Sequence, residues 1–158
     1  MQLRQVLIQA VLDLFEEQGH APSVDEITAR AGIAKGTFYL YFRTKADIVR
    51  AVVDQGMGQL EDCVGEAEAS APVGAENALR AVVRAQLAFF EKHHAMLVLL
   101  LGVRVWTSEE IPAEMRIELR DRYRKVTAAV YERLLQEGIR QGAYRECDTR
   151  LAAHALEG

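Results

Sequence analysis

The sequence between Ser23 and Ile48 is SVDEITARAGIAKGTFYLYFRTKADI, and it carries the clearest structural signals of the chain. Ser23 is followed three residues later by Glu26, the spacing of a capping box, in which the serine hydroxyl and the glutamate carboxylate each accept a hydrogen bond from an otherwise unpaired backbone N–H. Gly32 then supplies the backbone freedom that a tight turn between two helices requires. The pattern predicts two short helices joined by a turn, the second over about residues 34–42.

The second of these helices is predicted to be apolar on one face and polar and aromatic on the other. Phe38 and Phe42 lie one helical turn apart and are expected to be buried. The opposite face collects residues that suit close contact with a polar partner: Lys35, Gly36, Thr37, Tyr39 and Tyr41. A helix of this kind fits the major groove of B-DNA. The alternative, that Tyr39 and Tyr41 belong to the core, is weaker because both fall away from the apolar face.

Charge is distributed unevenly along the chain. The formal net charge is −4, yet no acidic residue occurs between Ile27 and Ala46. The basic residues of this acid-free window are Arg30, Lys35, Arg43 and Lys45. A basic face on an acidic protein favours specific duplex binding, because the rest of the surface repels phosphate.

The remaining segments are predicted to be helical as well. Apolar residues at helical spacing predict a first helix that ends at Gly19, and a long helix that Thr44 and Asp47 cap and that ends near Ala69. Further helices are predicted over residues 79–90, 95–106 and 112–142, and from Asp148 onward. We therefore expect an all-α protein.

Composition disfavours membrane and secreted proteins. Half of the residues are apolar and 27% are charged, as in ordinary globular proteins. The most apolar run, residues 95–106, is too short to span a bilayer and contains Arg104. No signal-peptide pattern opens the sequence, so we expect a cytoplasmic protein with no membrane partner.

Residue patterns that would indicate catalysis or metal binding are missing from the sequence. There are no paired carboxylates and no nucleophile with an adjacent base. Cys63 and Cys147 lack ligand spacing, and His93 and His94 point apart on a helix, so we expect no enzyme, no metal and no cofactor. Two alternatives to a DNA-binding protein are a small helical enzyme, and a ligand-binding or interaction module whose DNA-binding end has lost its function. The intact polar face of the second short helix argues against the latter.

The stretch from Ser23 to Ile48 resembles the helix-turn-helix of the tetracycline-repressor (TetR) family. The match rests on residues that stand in the family's order and spacing without a gap: Ala31-Gly32-Ile33, Gly36-Thr37-Phe38-Tyr39, Tyr41-Phe42 and Lys45. The resemblance implies a sequence-specific transcriptional regulator, usually a repressor, that a small-molecule ligand releases from a palindromic operator. It implies DNA contacts by seven residues: Ser23, Lys35, Gly36, Thr37, Tyr39, Tyr41 and Lys45. Ala34 departs from the family, which often has a capping serine there.

The resemblance also implies two parts: a three-helix DNA-binding domain over residues 1–46, and a helical ligand-binding and dimerisation domain over residues 47–158. No motif specifies the ligand site. Its candidates are Phe89, Phe90, His93, Met96, Arg104, Trp106, Met115 and Tyr123, each of which has an ordinary place in the core as its alternative. In the family the last two helices form the homodimer interface. Because the helix from Asp148 has only about two turns, we expect a domain truncated at its C-terminus and a weakened dimer.

Overall fold

A computed structural model of the chain describes residues 2–96 and 112–157. Within these ranges the chain forms helices and no strand, which confirms the predicted all-α fold. The helices, numbered in chain order, are α1 (Leu3–Gln18), α2 (Val24–Ala31), α3 (Lys35–Phe38), α4 (Lys45–Ala69), α5 (Ala75–Lys92), α6 (Ala113–Val126), α7 (Ala128–Arg140) and α8 (Thr149–Glu157). Most of the helix predicted over residues 95–106 lies outside the described residues.

The ends of α1 and α2 follow from local sequence signals. Gly19 ends α1 with φ at 68°, and its N–H donates to the carbonyl of Phe15. At the start of α2 the Glu26 carboxylate accepts from the Ser23 N–H at 2.7 Å, and the Ser23 hydroxyl accepts from the Glu26 N–H at 3.2 Å. Gly32 then turns the chain with φ at 68°, a conformation that side chains rarely adopt. The predicted capping box and both glycine stops are confirmed.

The start of α4 carries the second predicted capping box. The Asp47 carboxylate accepts from the Thr44 N–H at 2.8 Å, and the Thr44 hydroxyl accepts from the Asp47 N–H at 3.1 Å. This reciprocal pair satisfies two N–H groups that the first turn would otherwise leave unpaired. The long helix that it begins ends at Ala69, as predicted.

The chain divides into two compact units. The first comprises the described residues of Met1–Gly56 and His93–Leu119, and the second comprises Met57–Lys92 and the described residues of Arg120–Gly158. In the first unit α1, α2, α3 and the first part of α4 share an apolar core. Its fully buried side chains include Leu7, Ile8, Val11, Ile27, Phe38, Ile48 and Val49.

The third helix is shorter than predicted. It ends at Phe38, although the sequence pattern indicated a helix to about Phe42. Tight turns follow it: the Leu40 N–H donates to Thr37 O at 3.2 Å, and the Tyr41 N–H donates to Phe38 O at 3.0 Å. Phe42 is nevertheless buried, with its ring centroid 5.8 Å from that of Phe38. The predicted buried pair is confirmed, whereas the predicted helix length is wrong.

The single helix predicted over residues 112–142 is two helices. Thr127 separates α6 from α7, with φ at −110° and ψ at −76°. Its buried hydroxyl donates to Tyr123 O at 2.9 Å. A threonine that bonds back to the preceding turn competes with regular helix geometry, which is the physical reason for the correction.

The second unit is organised around α7, which packs against both α5 and α8. Its interior contains a polar cluster of three side chains from α5, α6 and α7, which we call the Gln86 cluster: Gln86, Tyr123 and Tyr131. The Gln86 amide donates to the Tyr123 hydroxyl at 3.3 Å and accepts from the Tyr131 hydroxyl. Leu87, by contrast, is 65% exposed, although it belongs to the apolar spacing that predicted α5.

The turn between α7 and α8 depends on Gly138. The Tyr144 ring lies directly on its backbone, so that a Cβ at residue 138 would be 2.3 Å from Tyr144 Cδ2. The Ala143 N–H donates to Gly138 O at 2.8 Å. Asp148 then caps α8, because its carboxylate accepts from the N–H groups of Arg150 and Leu151, each at 3.0 Å. The predicted cap at Asp148 is confirmed.

Candidate nucleic-acid interface

Two lysines from different helices flank the start of α2. Lys45, the first residue of α4, directs its Nζ to the carbonyl of Ala21 at 3.4 Å. Lys35, the first residue of α3, has its Nζ 2.8 Å from the Asp25 carboxylate. Ala21 and Asp25 stand two residues before and two residues after Ser23. The structure therefore brings Ser23, Lys35 and Lys45, three of the residues predicted to contact DNA, to one place.

The turn after α3 presents exposed rings beside an exposed leucine. Tyr39 and Tyr41 are 48% and 46% exposed, so neither is a core residue. The Tyr39 ring also packs edge-on against Phe38, with centroids 5.3 Å apart, and this contact restrains it. Leu40 between them is 81% exposed and was not among the residues predicted to contact DNA. The sequence feature that could have indicated Leu40 is its place on the side of the predicted helix away from Phe38, where an apolar residue is unexpected. An exposed leucine can contact a thymine methyl group.

Gly36 and Thr37 complete the predicted set. A Cβ at Gly36 would meet nothing within 4 Å, so the backbone there is open to a large partner. Thr37 is partly exposed within α3. Ala34 precedes the helix and provides no side-chain cap, as expected for alanine.

The Ser23 hydroxyl is already engaged in the capping box. It donates to the Glu26 carboxylate at 2.7 Å as well as accepting from the Glu26 N–H. Hydrogen bonds from the Ser23 N–H and hydroxyl lower the pKa of Glu26 below its usual value. To donate to a phosphate, the Ser23 hydroxyl would therefore have to give up its hydrogen bond to the Glu26 carboxylate.

Two basic residues of this region, Arg30 and Lys35, form ion pairs with different acidic residues. Arg30 binds the Glu17 carboxylate of α1 in a bidentate pair, and the hydrogen bond to Glu17 raises the Arg30 pKa. Lys35 is instead held by Asp25, and that hydrogen bond and charge raise the Lys35 pKa. Asp25 was not singled out from the sequence, because its pairing depends on how the turn folds.

The residues predicted for a ligand site lie in both units. Phe89, Phe90 and Tyr123 are buried in the second unit, where the rings of Phe90 and Tyr123 have centroids 6.4 Å apart. In the first unit His93 is half-buried, and Met96 and Met115 are buried. Arg104 and Trp106 lie outside the described residues.

The described part of the chain offers neither a metal-binding cluster nor a helix that could span a membrane. Residues 2–96 and 112–157 contain no group of three His, Cys, Asp or Glu side chains that could hold a metal ion. Over the same part of the chain, no helix combines the length and apolar character needed to cross a bilayer.

Comparison with known proteins identifies the region from α1 to the first part of α4. The pattern of the TetR_N family, bacterial regulatory proteins of the tetR type, matches residues 7–52. Residues 7–52 are thus a DNA-binding domain of the TetR type. The predicted resemblance is thereby confirmed, and the chain is similar to DNA-binding transcriptional regulators.

One curated relative matches over most of the chain, and another matches over about a third of it. It is 29% identical to the fatty acid metabolism regulator protein of Bacillus subtilis over 157 residues, which are 96% of the chain and 76% of the relative. It is 45% identical to the transcriptional regulator AcuR of Cereibacter sphaeroides over 51 residues, which are 32% of the chain and 23% of AcuR.

Two solved structures are similar in both fold and sequence. The transcriptional regulator FadR from Bacillus subtilis, in complex with stearoyl-CoA, superposes with a TM-score of 0.78 at 28% identity, covering 98% of this chain and 81% of that one. The fatty acid degradation regulator FadR from Bacillus halodurans gives a TM-score of 0.80 at 25% identity, covering 98% of this chain and 78% of that one.

Proposed function

We propose that the chain represses transcription by binding a palindromic operator as a homodimer, and that a long-chain acyl-CoA releases it. The observation that carries the DNA-binding part is the placement of Lys35 and Lys45 on either side of the start of α2. In this proposal residues 1–46 form the DNA-binding domain, and residues 47–158 bind the ligand and the second copy.

Each proposed DNA contact has a chemical role. Lys45 and the hydroxyls of Tyr39 and Tyr41 bind phosphates, which positions the protein without reading sequence. Lys35 reaches base edges in the major groove, where lysine donates to guanine. The remaining contacts come from Ser23, Gly36 and Thr37, with Gly36 allowing close approach of the backbone.

The homodimer is proposed because a palindromic operator needs two helix-turn-helix motifs, one for each half-site. One helix-turn-helix covers a single half-site, and two heads on a two-fold axis about 34–36 Å apart read a palindrome. α8 provides an apolar surface for the second copy, since Leu151 and Leu156 are 69% and 42% exposed. Light scattering over a concentration series, with and without operator, measures this assembly.

Selection of duplexes from a random pool tests the DNA-binding part directly. The chain is expected to enrich one inverted repeat. Enrichment of single half-sites would contradict the palindrome, and recovery of an unchanged pool would contradict sequence-specific binding altogether.

Replacing Lys45 by alanine is expected to weaken binding to the enriched duplex and to a random duplex alike. The salt dependence should become shallower by about one unit, because one phosphate contact and its released counterion are lost. Fluorescence anisotropy at several salt concentrations measures both quantities. Lys125→Ala removes the same charge from α6 and serves as the control, with slope unchanged. An unchanged slope for Lys45→Ala would remove this residue from the interface.

The acyl-CoA is proposed from relatives and from the chain's own buried rings. The Bacillus subtilis FadR structure contains stearoyl-CoA, and one relative that matches over 96% of this chain is a fatty acid metabolism regulator. Phe89, Phe90 and Tyr123 supply apolar surface of the kind that lines ligand sites. His93, Met96 and Met115 of the first unit remain further candidates, as do Arg104 and Trp106.

Stearoyl-CoA at saturating concentration is expected to weaken operator affinity by about 5- to 150-fold, the usual range of allosteric coupling. A ligand releases DNA only if it binds the DNA-incompetent state more tightly. Anisotropy titrations with stearoyl-CoA, stearic acid and CoA alone separate the contributions of chain and headgroup. If stearoyl-CoA raises the melting temperature but leaves operator affinity unchanged, the chain binds this ligand but the ligand does not release it from DNA, which would contradict the proposed regulation.

A further inference from the structure

Asp25 is an acid on the surface that is proposed to meet DNA. It is the second residue of α2, and its side chain is 72% exposed, beside a Lys35 side chain that is 54% exposed. The neighbouring acid Glu26 is occupied by the capping box, whereas the Asp25 carboxylate holds the lysine proposed to read bases. An unpaired carboxylate would repel phosphates here, but one that is neutralised by Lys35 can approach the groove.

The ion pair has the polarity and spacing of one edge of a base pair. In the major groove a G·C pair presents the acceptor O6 of guanine beside the donor N4 of cytosine. These two atoms share a Watson–Crick hydrogen bond, so they lie about 2.9 Å apart. Lys35 Nζ and Asp25 Oδ1 offer a donor and an acceptor 2.8 Å apart. The two pairs are therefore complementary when they lie side by side.

Both side chains have the capacity to keep their own bond while making the new ones. The ammonium group of Lys35 has three N–H donors, so it can bind Asp25 and still donate to guanine O6 or N7. An ionised carboxylate has about four acceptor positions, so Asp25 can bind Lys35 and still accept from cytosine N4. No bond has to break for the pair to bind DNA.

We infer that the Asp25–Lys35 ion pair reads a G·C base pair in each half-site of the operator. This inference rests on the proposed DNA-binding function. An A·T pair in the same place presents a donor, adenine N6, where guanine has O6, and an acceptor, thymine O4, where cytosine has N4. Donor would then face donor and acceptor would face acceptor. A T·A pair presents thymine O4 and adenine N6 in the favourable order, but it has the thymine methyl group where guanine has N7, so a Lys35 N–H that donates to N7 selects G·C.

The test combines protein and base-pair substitutions. Duplexes are first selected from a random pool with the unmodified chain, and each invariant G·C pair is then changed to A·T in turn. For the unmodified chain one such change, made in a single half-site, is expected to weaken binding by about 5- to 150-fold. Asp25→Asn is expected to reduce that penalty by about fivefold at this base pair alone, because an amide can both donate and accept.

The measured quantity is the ratio of affinities of one variant for two duplexes. A variant that folds less completely loses the same factor on both duplexes, so its ratio is unaffected. Glu17→Gln is the matched control, since it removes a carboxylate from the exposed Arg30 pair in the same unit. Its penalties should equal those of the unmodified chain at every base pair.

Three results would overturn the inference. Asp25→Asn could leave the penalty unchanged at every G·C pair, in which case Asp25 serves only the start of α2. Selection could yield a defined operator without an invariant G·C pair, which contradicts this reading but leaves the proposed function in place. Selection that enriches no sequence would remove the proposed function and this inference together.

Discussion

Replacing Phe38 by alanine is expected to lower the free energy of unfolding by about 3–5 kcal/mol and to abolish operator binding. Phe38 is completely buried and contacts the rings of Phe42 and Tyr39. Truncation leaves a cavity beneath the turn that carries Tyr39 and Tyr41. Because domains are stable by only about 5–15 kcal/mol, much of the stability would be lost. Urea unfolding followed by far-ultraviolet circular dichroism measures the change.

Tyr39→Ala separates stability from binding at the same turn. Tyr39 is about half exposed, so its loss should cost no more than the edge-on contact with Phe38, about 0.5–1.5 kcal/mol. Operator affinity should nevertheless fall. If Phe38→Ala unfolded at the same urea concentration as the unmodified chain, the first unit would not depend on this ring.

Replacing Tyr131 by alanine is the second large effect, with an expected loss of about 3–5 kcal/mol. Tyr131 is only 1% exposed, and its hydroxyl donates to Gln86 within the second unit. The alanine variant removes both the ring and this hydrogen bond. The same urea experiment measures the result.

Tyr131→Phe isolates the hydrogen bond of the Gln86 cluster. The ring stays, but the Gln86 carbonyl oxygen loses a buried donor, which should cost about 1–3 kcal/mol. Adding Gln86→Leu to Tyr131→Phe removes the other partner, so the double variant should be less destabilised than the sum of the single ones. Strict additivity would show that the two side chains are energetically independent.

Helix ends were predictable because their signals are local. The two capping boxes each depend on residues three positions apart, and Gly19 and Gly32 act through their own backbone conformations. The end of α3 was not predictable in this way. A regular helix and a tight turn both bury Phe42 beside Phe38, so the aromatic spacing could not distinguish them.

Contacts between distant residues account for the other differences. The hydroxyl of Thr127 interrupts a helix whose apolar spacing continues across the break, so periodicity could not locate it. Gln86 is buried because partners 37 and 45 positions away satisfy its amide, and a window of neighbouring residues contains neither. At the interface, Lys35 was predicted from its motif, whereas its pairing with Asp25 arises only when Gly32 turns the chain.

The contact of the Tyr144 ring with the backbone of Gly138 links the evolutionary histories of two positions. Any side chain at residue 138 would occupy the space of the ring, and a smaller residue at 144 would leave that space empty. Each change is therefore tolerated mainly in a lineage that has already acquired the other. Among descendants of this chain, residues 138 and 144 should therefore change together, and sequences with only one of the two changes should be rare. The turn before α8 should diverge more slowly than its exposed position would indicate.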